Sequence, residues 1–417
     1  MLLNFYYHFT IIISKMQNFG GINMNEIYLD HAATTPMDVE VINTVNKYME
    51  DYYGNPSSIY KTGQIANNKL NEARKTIAEL INANDFREII FTSGGTESDN
   101  LAIKGAALAL KDQGNHIITT KIEHHAVLHT CEYLEKHHDY EVTYLDVDEK
   151  GFVKIADIKE ALREDTVLVS IITANNEIGT IQPIKEIGTF LKNKDVYFHT
   201  DAVQAIGQIK LNVQEINIDL LSASAHKIHG PKGVGMLYIK KGTKLVPQLN
   251  GGAQERNRRA GTENLPGIMG FKKAVELVME NRQKYVEKNS YLRDKLINGI
   301  EKSIDDAVLN GPRGSKRLSN NVNFCFKYIE GESILLNLDM LGIAASSGSA
   351  CTSGSLDPSH VLLAIGHSKG TAHGSLRLSL GKDNTEQEID FVLEKLPGII
   401  QRIRDMSPLY IKEKERS

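Results

Sequence analysis

Between residues 26 and 242, short aliphatic runs alternate with segments of helical periodicity. That alternation is the signature of a parallel sheet covered by helices on both faces. Runs at 88–92, 116–120, 141–146, 167–173, 196–200, 220–224 and 234–239 read as strands, and helices are predicted over 65–80, 96–110, 126–137 and 155–162. Polar and glycine residues follow the strands rather than interrupting them. In open α/β sheets, ligands bind just beyond the carboxyl ends of strands, so the residues there are the first candidates for chemistry. A Gly/Arg/Asn-rich stretch at 251–266 precedes a long helical pattern over 268–303. Beyond it the pattern predicts a strand (320–326), a helix (333–341), a loop of small residues (346–355), a strand (375–380) and a helix (386–406). The expected fold is therefore α/β, with a large seven-stranded domain over 24–265. A smaller α+β domain follows over 266–417, opened by a linker helix and carrying the small-residue loop.

The first 23 residues differ from the rest. Their apolar run LLNFYYHFTIIIS (2–14) is shorter than the roughly 20 residues of a membrane span. It also lacks the leading basic residues and small-residue cleavage site of a signal peptide. Residues 1–23 are expected to be a non-catalytic extension with Met24 opening the working protein; a peripheral amphipathic anchor is the alternative.

Composition narrows the function. With 417 residues, 41% hydrophobic and 24% charged, the chain has the make-up of an ordinary globular protein of two to three domains. Lys and Arg number 48 against 52 Asp and Glu, a net charge of -4. No basic excess is present to neutralise a nucleic-acid backbone, and neither direct nucleic-acid binding nor membrane insertion is expected. The three cysteines, Cys131, Cys325 and Cys351, form no C-x-x-C pair, which fits a reducing cytoplasm and argues against a structural metal.

Four segments could carry chemistry. In SASAHKIHGPKGVG (222–235) an apolar strand runs into His226 and Lys227. A lysine desolvated at a strand end has a depressed pKa and can form a Schiff base, although from the local sequence alone a surface lysine beside a turn is the plainer reading. In VYFHTDAVQ (196–204), Asp201 and Gln204 follow a strand. They could hold a pyridinium nitrogen and a ring oxygen, or Asp201 could be a local cap. In FTSGGTESDN (91–100), Thr96-x-x-Asp99 fits a capping box, and such a helix start also cradles phosphate. Cys131 and Cys325 lie in apolar helix and strand patterns and read as packing residues. Cys351 lies in SSGSACTSGS (346–355), too polar and flexible for core, and reads as a nucleophile. His125 and His129 are one helical turn apart, but nothing completes a metal spacing. No G-x-G-x-x-G or G-x-x-x-x-G-K-[ST] is present, which removes the main support for a nucleotide reading.

Together these segments resemble the pyridoxal-phosphate-dependent cysteine desulfurases of the class V aminotransferase group, enzymes of fold type I. The resemblance runs from Ile27 to Tyr410. It rests on YLDHAATTP (28–36), GNPSS (54–58), TSGGTESDN (92–100), IEHHAV (122–127), NNEIG (175–179), HTDAVQ (199–204), SAHKIHGPKGVG (224–235), RRAGTEN (258–264), SSGSACTSGS (346–355) and SLRLSLG (375–381). The long cysteine loop is similar to the branch serving iron–sulfur assembly and thiolation.

The resemblance implies a mostly parallel seven-stranded sheet in a large cofactor-binding domain, pyridoxal 5'-phosphate as cofactor and L-cysteine as substrate. Lys227 would carry the cofactor as a Schiff base, with His124 stacking on its ring. Asp201 would pair with the ring nitrogen and Gln204 with the ring oxygen. Gly95, Thr96, Ser224 and His226 would hold the phosphate, joined by Thr262 from the neighbouring subunit of a homodimer. Asn176 would sit at the cofactor and, with Arg377, bind the substrate carboxylate. Cys351 would accept the sulfur as a persulfide, yielding alanine, and pass it to an iron–sulfur scaffold or a tRNA thiolase; transient ligation of a cluster by Cys351 is also implied. A selenocysteine lyase or another class V transaminase-like enzyme is the nearest rival, and a catalytically idle scaffold a more distant one. Asn257 departs from the family pattern, which has glycine there.

Overall fold

The computed structural model describes residues 26–347, 357–408 and 410–411. The extension 1–23 and Cys351 lie outside the described residues. The strands are β1 (Ile27–Tyr28), β2 (Ile89–Thr92), β3 (His116–Thr120), β4 (Glu141–Leu145), β5 (Thr166–Ser170), β6 (Tyr197–Asp201), β7 (Leu220–Ser224), β8 (Gly235–Ile239), β9 (Ala307–Leu309), β10 (Asn321–Phe326), β11 (Ile343–Ala344) and β12 (Ser375–Ser379). Seven of them form one sheet in the order β2-β8-β7-β6-β5-β3-β4, and these are the seven runs expected from the sequence. All neighbours are parallel except those of β8, which is antiparallel to both β2 and β7. The cause is length: only residues 225–234 join β7 to β8, fewer than the dozen or so a parallel crossover needs.

The predicted helices appear as Lys61–Ile81, Gly95–Ala109, His125–His138 and Ile155–Ala161. Among the described residues, two further helices of eight residues or more, Val39–Asp51 and Ile184–Leu191, are not among the predicted ones. The first was legible: Val41, Val45, Tyr48 and Tyr52 recur at helical spacing and pack on the main core, and Asp38 caps it by accepting from the Glu40 N–H at 2.9 Å.

The smaller part is an antiparallel sheet β12-β10-β9 packed under the helices Gly331–Asp339 and Glu386–Asp405. Apolar packing crosses the expected boundary at 265/266 in two places. Leu29 belongs to the core of the smaller part, and β1 pairs in parallel with β11. Conversely, the helix Leu265–Ser303 buries Leu265, Ile268, Phe271 and Val278 in the larger core and Leu292, Leu296 and Ile300 in the smaller one. At 1.5 Å per residue this helix is about 58 Å long, and it joins the two cores as one continuous element.

Candidate active site

Because β8 is reversed, β2, β3, β5, β6 and β7 all point their carboxyl ends to one edge of the sheet. The segments that follow those ends converge there. After β2 the chain turns at Gly94, whose φ is 156°, and enters the helix Gly95–Ala109. A Cβ on Gly95 would lie 2.7 Å from Val203 Cγ2, and a Cβ on Gly235 would lie 2.6 Å from Gly94 Cα. Only glycines allow this approach, which brings Gly94 and Gly95, at the start of the helix, beside buried Ser224. The N–H groups of its first turn have no intrahelical partner and favour an anion.

The capping-box reading of Thr96 and Asp99 is corrected here. Gly94 is the N-cap, with no side-chain cap. Glu97 instead accepts from the Ser93 N–H at 2.7 Å. Asp99 faces the sheet, fully buried, with its Oδ1 3.6 Å from His199 Nε2.

Lys227 ends the short turn Ala225–Lys227 that follows β7. Its Nζ donates to the carbonyls of Ala32 (2.6 Å) and Ala33 (2.7 Å). Gln204 Nε2 donates to the same Ala32 oxygen at 2.9 Å, so lysine and glutamine meet on one carbonyl. Residues 30–36 strap the lysine turn: His226 O accepts from Thr35 N (3.1 Å) and Oγ1 (2.8 Å), and His226 Nδ1 lies 3.2 Å from Thr34 Oγ1.

Asp201, at the end of β6, is buried and accepts from the Val203 N–H at 2.8 Å. Burial raises its pKa to about 6, while the Val203 N–H and the Lys227 charge pull it down. His124 caps the helix after β3, its Nδ1 accepting from the Ala126 N–H at 3.1 Å. Burial, the Lys227 charge and His129 lower its pKa to about 4. The ring is thus neutral near pH 7 and carries its proton on Nε2. His226 is likewise lowered to about 4, by burial first and then by Lys227 and Lys232.

Arg377 stands on β12, 1% exposed. Its Nη2 donates to Asp30 Oδ1 (2.9 Å) and its Nη1 to the Asn176 carbonyl (3.2 Å). Its Nε has no hydrogen-bond partner among the described residues. Asn176 thus meets Arg377 through its backbone.

Thr262 is exposed and lines a cleft with Ser93, Gly233, Glu255 and Arg259. Its segment is tied to the helix at Gly95 by Arg259 Nε donating to Glu97 Oε1 at 2.7 Å. Asn257 has a φ of 61°, third in a left-handed run after Glu255 (47°) and Arg256 (57°). Asparagine tolerates that conformation better than other side chains, which explains how it replaces glycine there. Cys131 and Cys325 are both fully buried. Burial pushes the Cys325 thiol up to about 11 and that of Cys131 higher still.

Three participants escaped the sequence reading. Asp30 pairs with an arginine 347 positions away. Glu123 is buried, takes Oε1 bonds from Thr120 Oγ1 (2.7 Å) and the Ile172 N–H (2.9 Å), and is raised by burial to about 8. Glu177, also buried, accepts from Ser359 Oγ. Each lies inside a segment noted for other residues, and no local pattern marks a carboxylate whose partner is distant in sequence.

The family model for aminotransferase class-V matches residues 27–392. The cysteine desulfurase IscS of Clostridium botulinum is 57% identical over 394 residues, covering 94% of this chain and 99% of that protein. Among solved structures, a NifS-like protein superposes with a TM-score of 0.84 at 38% identity, covering 90% of this chain and 99% of its own. The protein SspA, solved in complex with cysteine, gives 0.74 at 36% identity over 86% of this chain and 100% of its own. Matched along nearly its whole described length, the chain belongs to the class-V aminotransferase family and, within it, to the cysteine desulfurases.

Proposed function

We propose that the protein converts L-cysteine to L-alanine with pyridoxal 5'-phosphate held on Lys227, leaving the sulfur as a persulfide on Cys351. The observation that carries this reading is the convergence of Lys227, Gln204, Asp201 and His124 at the carboxyl edge of the sheet, beside a helix start that glycines keep open.

The donor set fits the cofactor. An amine, a buried carboxylate and a neutral imidazole surround one end. The Gly95 and Thr96 backbone, Ser224 and His226 offer neutral donors to a phosphate at the other, with Thr262 from a second copy completing them. When bound, the cofactor supplies an electron sink for the carbanion formed at the substrate α-carbon.

The remaining work falls to the chain. Asp201 as carboxylate keeps a proton on the ring nitrogen, and Gln204 bonds the ring oxygen. Lys227, held over the Ala32 and Ala33 carbonyls, takes and returns the α-proton. Neutral His124 packs on the ring and can pass a proton at Nε2. Arg377 exchanges its bond to Asp30 for the substrate carboxylate, with its unpaired Nε completing a two-point grip; Asn176 lies beside it. In the net transfer the substrate's C–S bond breaks, a S–S bond to Cys351 forms, and the thiol proton ends on the alanine product.

The acceptor is an iron–sulfur scaffold or a tRNA thiolase. Exposed Tyr53, Ile59 and Tyr60, with Thr262 facing outward, support a homodimer. The sparse cysteines support a cytoplasmic location, and no helix among the described residues is long and apolar enough to cross a membrane. The purified enzyme should show the cofactor's visible absorbance and a borohydride-trappable adduct that Lys227→Ala abolishes. Cys351→Ala should keep the absorbance and stop alanine release; full turnover by that variant would sink the persulfide step.

A further inference from the structure

Arg377 meets its surroundings unevenly. Its side chain is 2% exposed, and a guanidinium buried that deeply is costly without a partner charge. Nη1 is taken by the Asn176 carbonyl at 3.2 Å. Nε and Nη2 form the side edge of the guanidinium fork, where a carboxylate can lie with one oxygen on each nitrogen. Half of that edge is filled: Asp30 Oδ1 accepts from Nη2 at 2.9 Å, while Nε has no hydrogen-bond partner among the described residues. The other carboxyl within electrostatic reach, Glu177, is engaged by the Ser359 hydroxyl.

The main chain around Asp30 is anchored independently of that carboxylate. Leu29 O accepts from the Ser379 N–H at 2.7 Å, the His31 N–H donates to Ser379 O at 3.2 Å, and the Ala32 N–H donates to Ser379 Oγ at 2.8 Å. The next carbonyls, of Ala32 and Ala33, accept from Lys227 Nζ. The Asp30 side chain is 20% exposed, so it can release the arginine and turn to water while its backbone stays in place. One bond from Asp30 is thus set against the two that a free carboxylate would make on the same edge.

We propose that Asp30 is an internal competitor for the substrate carboxylate: it occupies Arg377 in the empty site, gives way to a ligand whose carboxylate fills both Nε and Nη2, and so lowers the affinity for every such ligand. The sign of the effect separates this role from a passive salt bridge. A partner that only aligned Arg377 would strengthen substrate binding. A competitor weakens it, because the ligand finds the edge free only in the fraction of molecules in which Asp30 has let go. The assignment rests on the desulfurase reading, in which Arg377 receives the substrate carboxylate.

The test uses the holoenzyme with Asp30→Asn, which keeps the shape and removes the charge, and Asp30→Ser, which also shortens the side chain. Both should lower at least threefold the L-cysteine concentration that half-saturates the change in visible absorbance. Both should strengthen at least fivefold the competitive inhibition by propionate, a carboxylate with neither amine nor thiol. L-Cysteinamide, which has no carboxylate, should half-saturate within twofold of its parental value. Without ligand the variants should melt lower, since a buried guanidinium has lost its countercharge, and propionate should raise their midpoint more than the parent's. Weaker or unchanged binding of propionate in the variants overturns the competitor role, as does an equal gain for L-cysteinamide. If the parent forms no alanine from cysteine, the desulfurase reading fails and takes this assignment with it. Normal parental turnover beside variants that bind propionate no more tightly refutes the role of Asp30 alone.

Discussion

Replacing Arg74 by methionine tests how the Thr262 segment is held. Arg74, 3% exposed on the helix Lys61–Ile81, donates Nη1 to Glu255 Oε2 (2.7 Å) and Nη2 to Glu255 Oε1 (2.8 Å). Its Nη1 also reaches the Ile89 carbonyl at 2.7 Å, and its guanidinium lies 4.8 Å from the Phe91 ring centre. Glu255 opens the left-handed run that ends at Asn257. A non-glycine residue in that conformation costs about 1–2 kcal/mol, so the turn stores about 3 kcal/mol once the asparagine discount is allowed. Removing one partner of a buried ion pair costs about 3–5 kcal/mol. Unwinding the turn would release its strain and let Glu255 reach water, so the smaller total cost lies on the path where the turn opens.

The expected result for Arg74→Met is therefore a local opening of residues 255–257, with about 2–4 kcal/mol lost in urea unfolding. Trypsin should cut faster after Arg256, Arg258 and Arg259. Arg74→Lys, which keeps charge but not the fork, should be intermediate. Arg74→Met with Glu255→Gln should recover part of the loss, because no unpaired charge stays buried. An Arg74→Met protein with the parental urea midpoint and parental tryptic rate would falsify this account of the turn.

Two further outcomes follow from the buried groups. In the apoprotein, burial raises Glu123 to about 8 and Glu177 to about 7; a carboxyl raised in the fold binds its proton in the native state and loses it in the unfolded one, so stability falls as pH rises through the folded value. Histidines lowered by burial, such as His124 and His199, are neutral in both states above pH 7 and drop out. Between pH 7 and 9 these two carboxyls should cost on the order of 1–2 kcal/mol, and Glu123→Gln should flatten the decline in urea midpoint; a decline of parental steepness in that variant would refute the assignment. Arg377→Lys should raise the KM for cysteine at least tenfold, because a lysine cannot replace the paired bonds of a guanidinium; steady-state kinetics with an unchanged KM would count against the carboxylate role.

What the sequence made legible was local. The seven strands of the main sheet were visible because each is a continuous buried run bounded by polar turns, and Lys227, Asp201 and Thr96 were visible because they follow such runs. The reversal of β8 was not visible, since side-chain pattern carries no strand direction; only the length of 225–234 hinted at it. Pairs such as Asp30 with Arg377 or Arg74 with Glu255, separated by 347 and 181 residues, are hidden among 52 acidic and 48 basic side chains. The capping-box reading of Asp99 failed for a related reason, because a three-residue spacing does not say which way a side chain faces.

The helix Leu265–Ser303 acts as a common rafter under both cores. A continuous α-helix bends sharply only where its hydrogen-bond ladder is interrupted, and its one proline, Pro266, sits in the first turn where no ladder bond is lost. The lysine turn, built on one core, and the arginine strand, built on the other, are therefore joined by a stiff element as well as by the direct bonds of Arg377 to Asp30 and the Asn176 carbonyl. The distance between those two segments is then set in part by a helix that lies outside both of them.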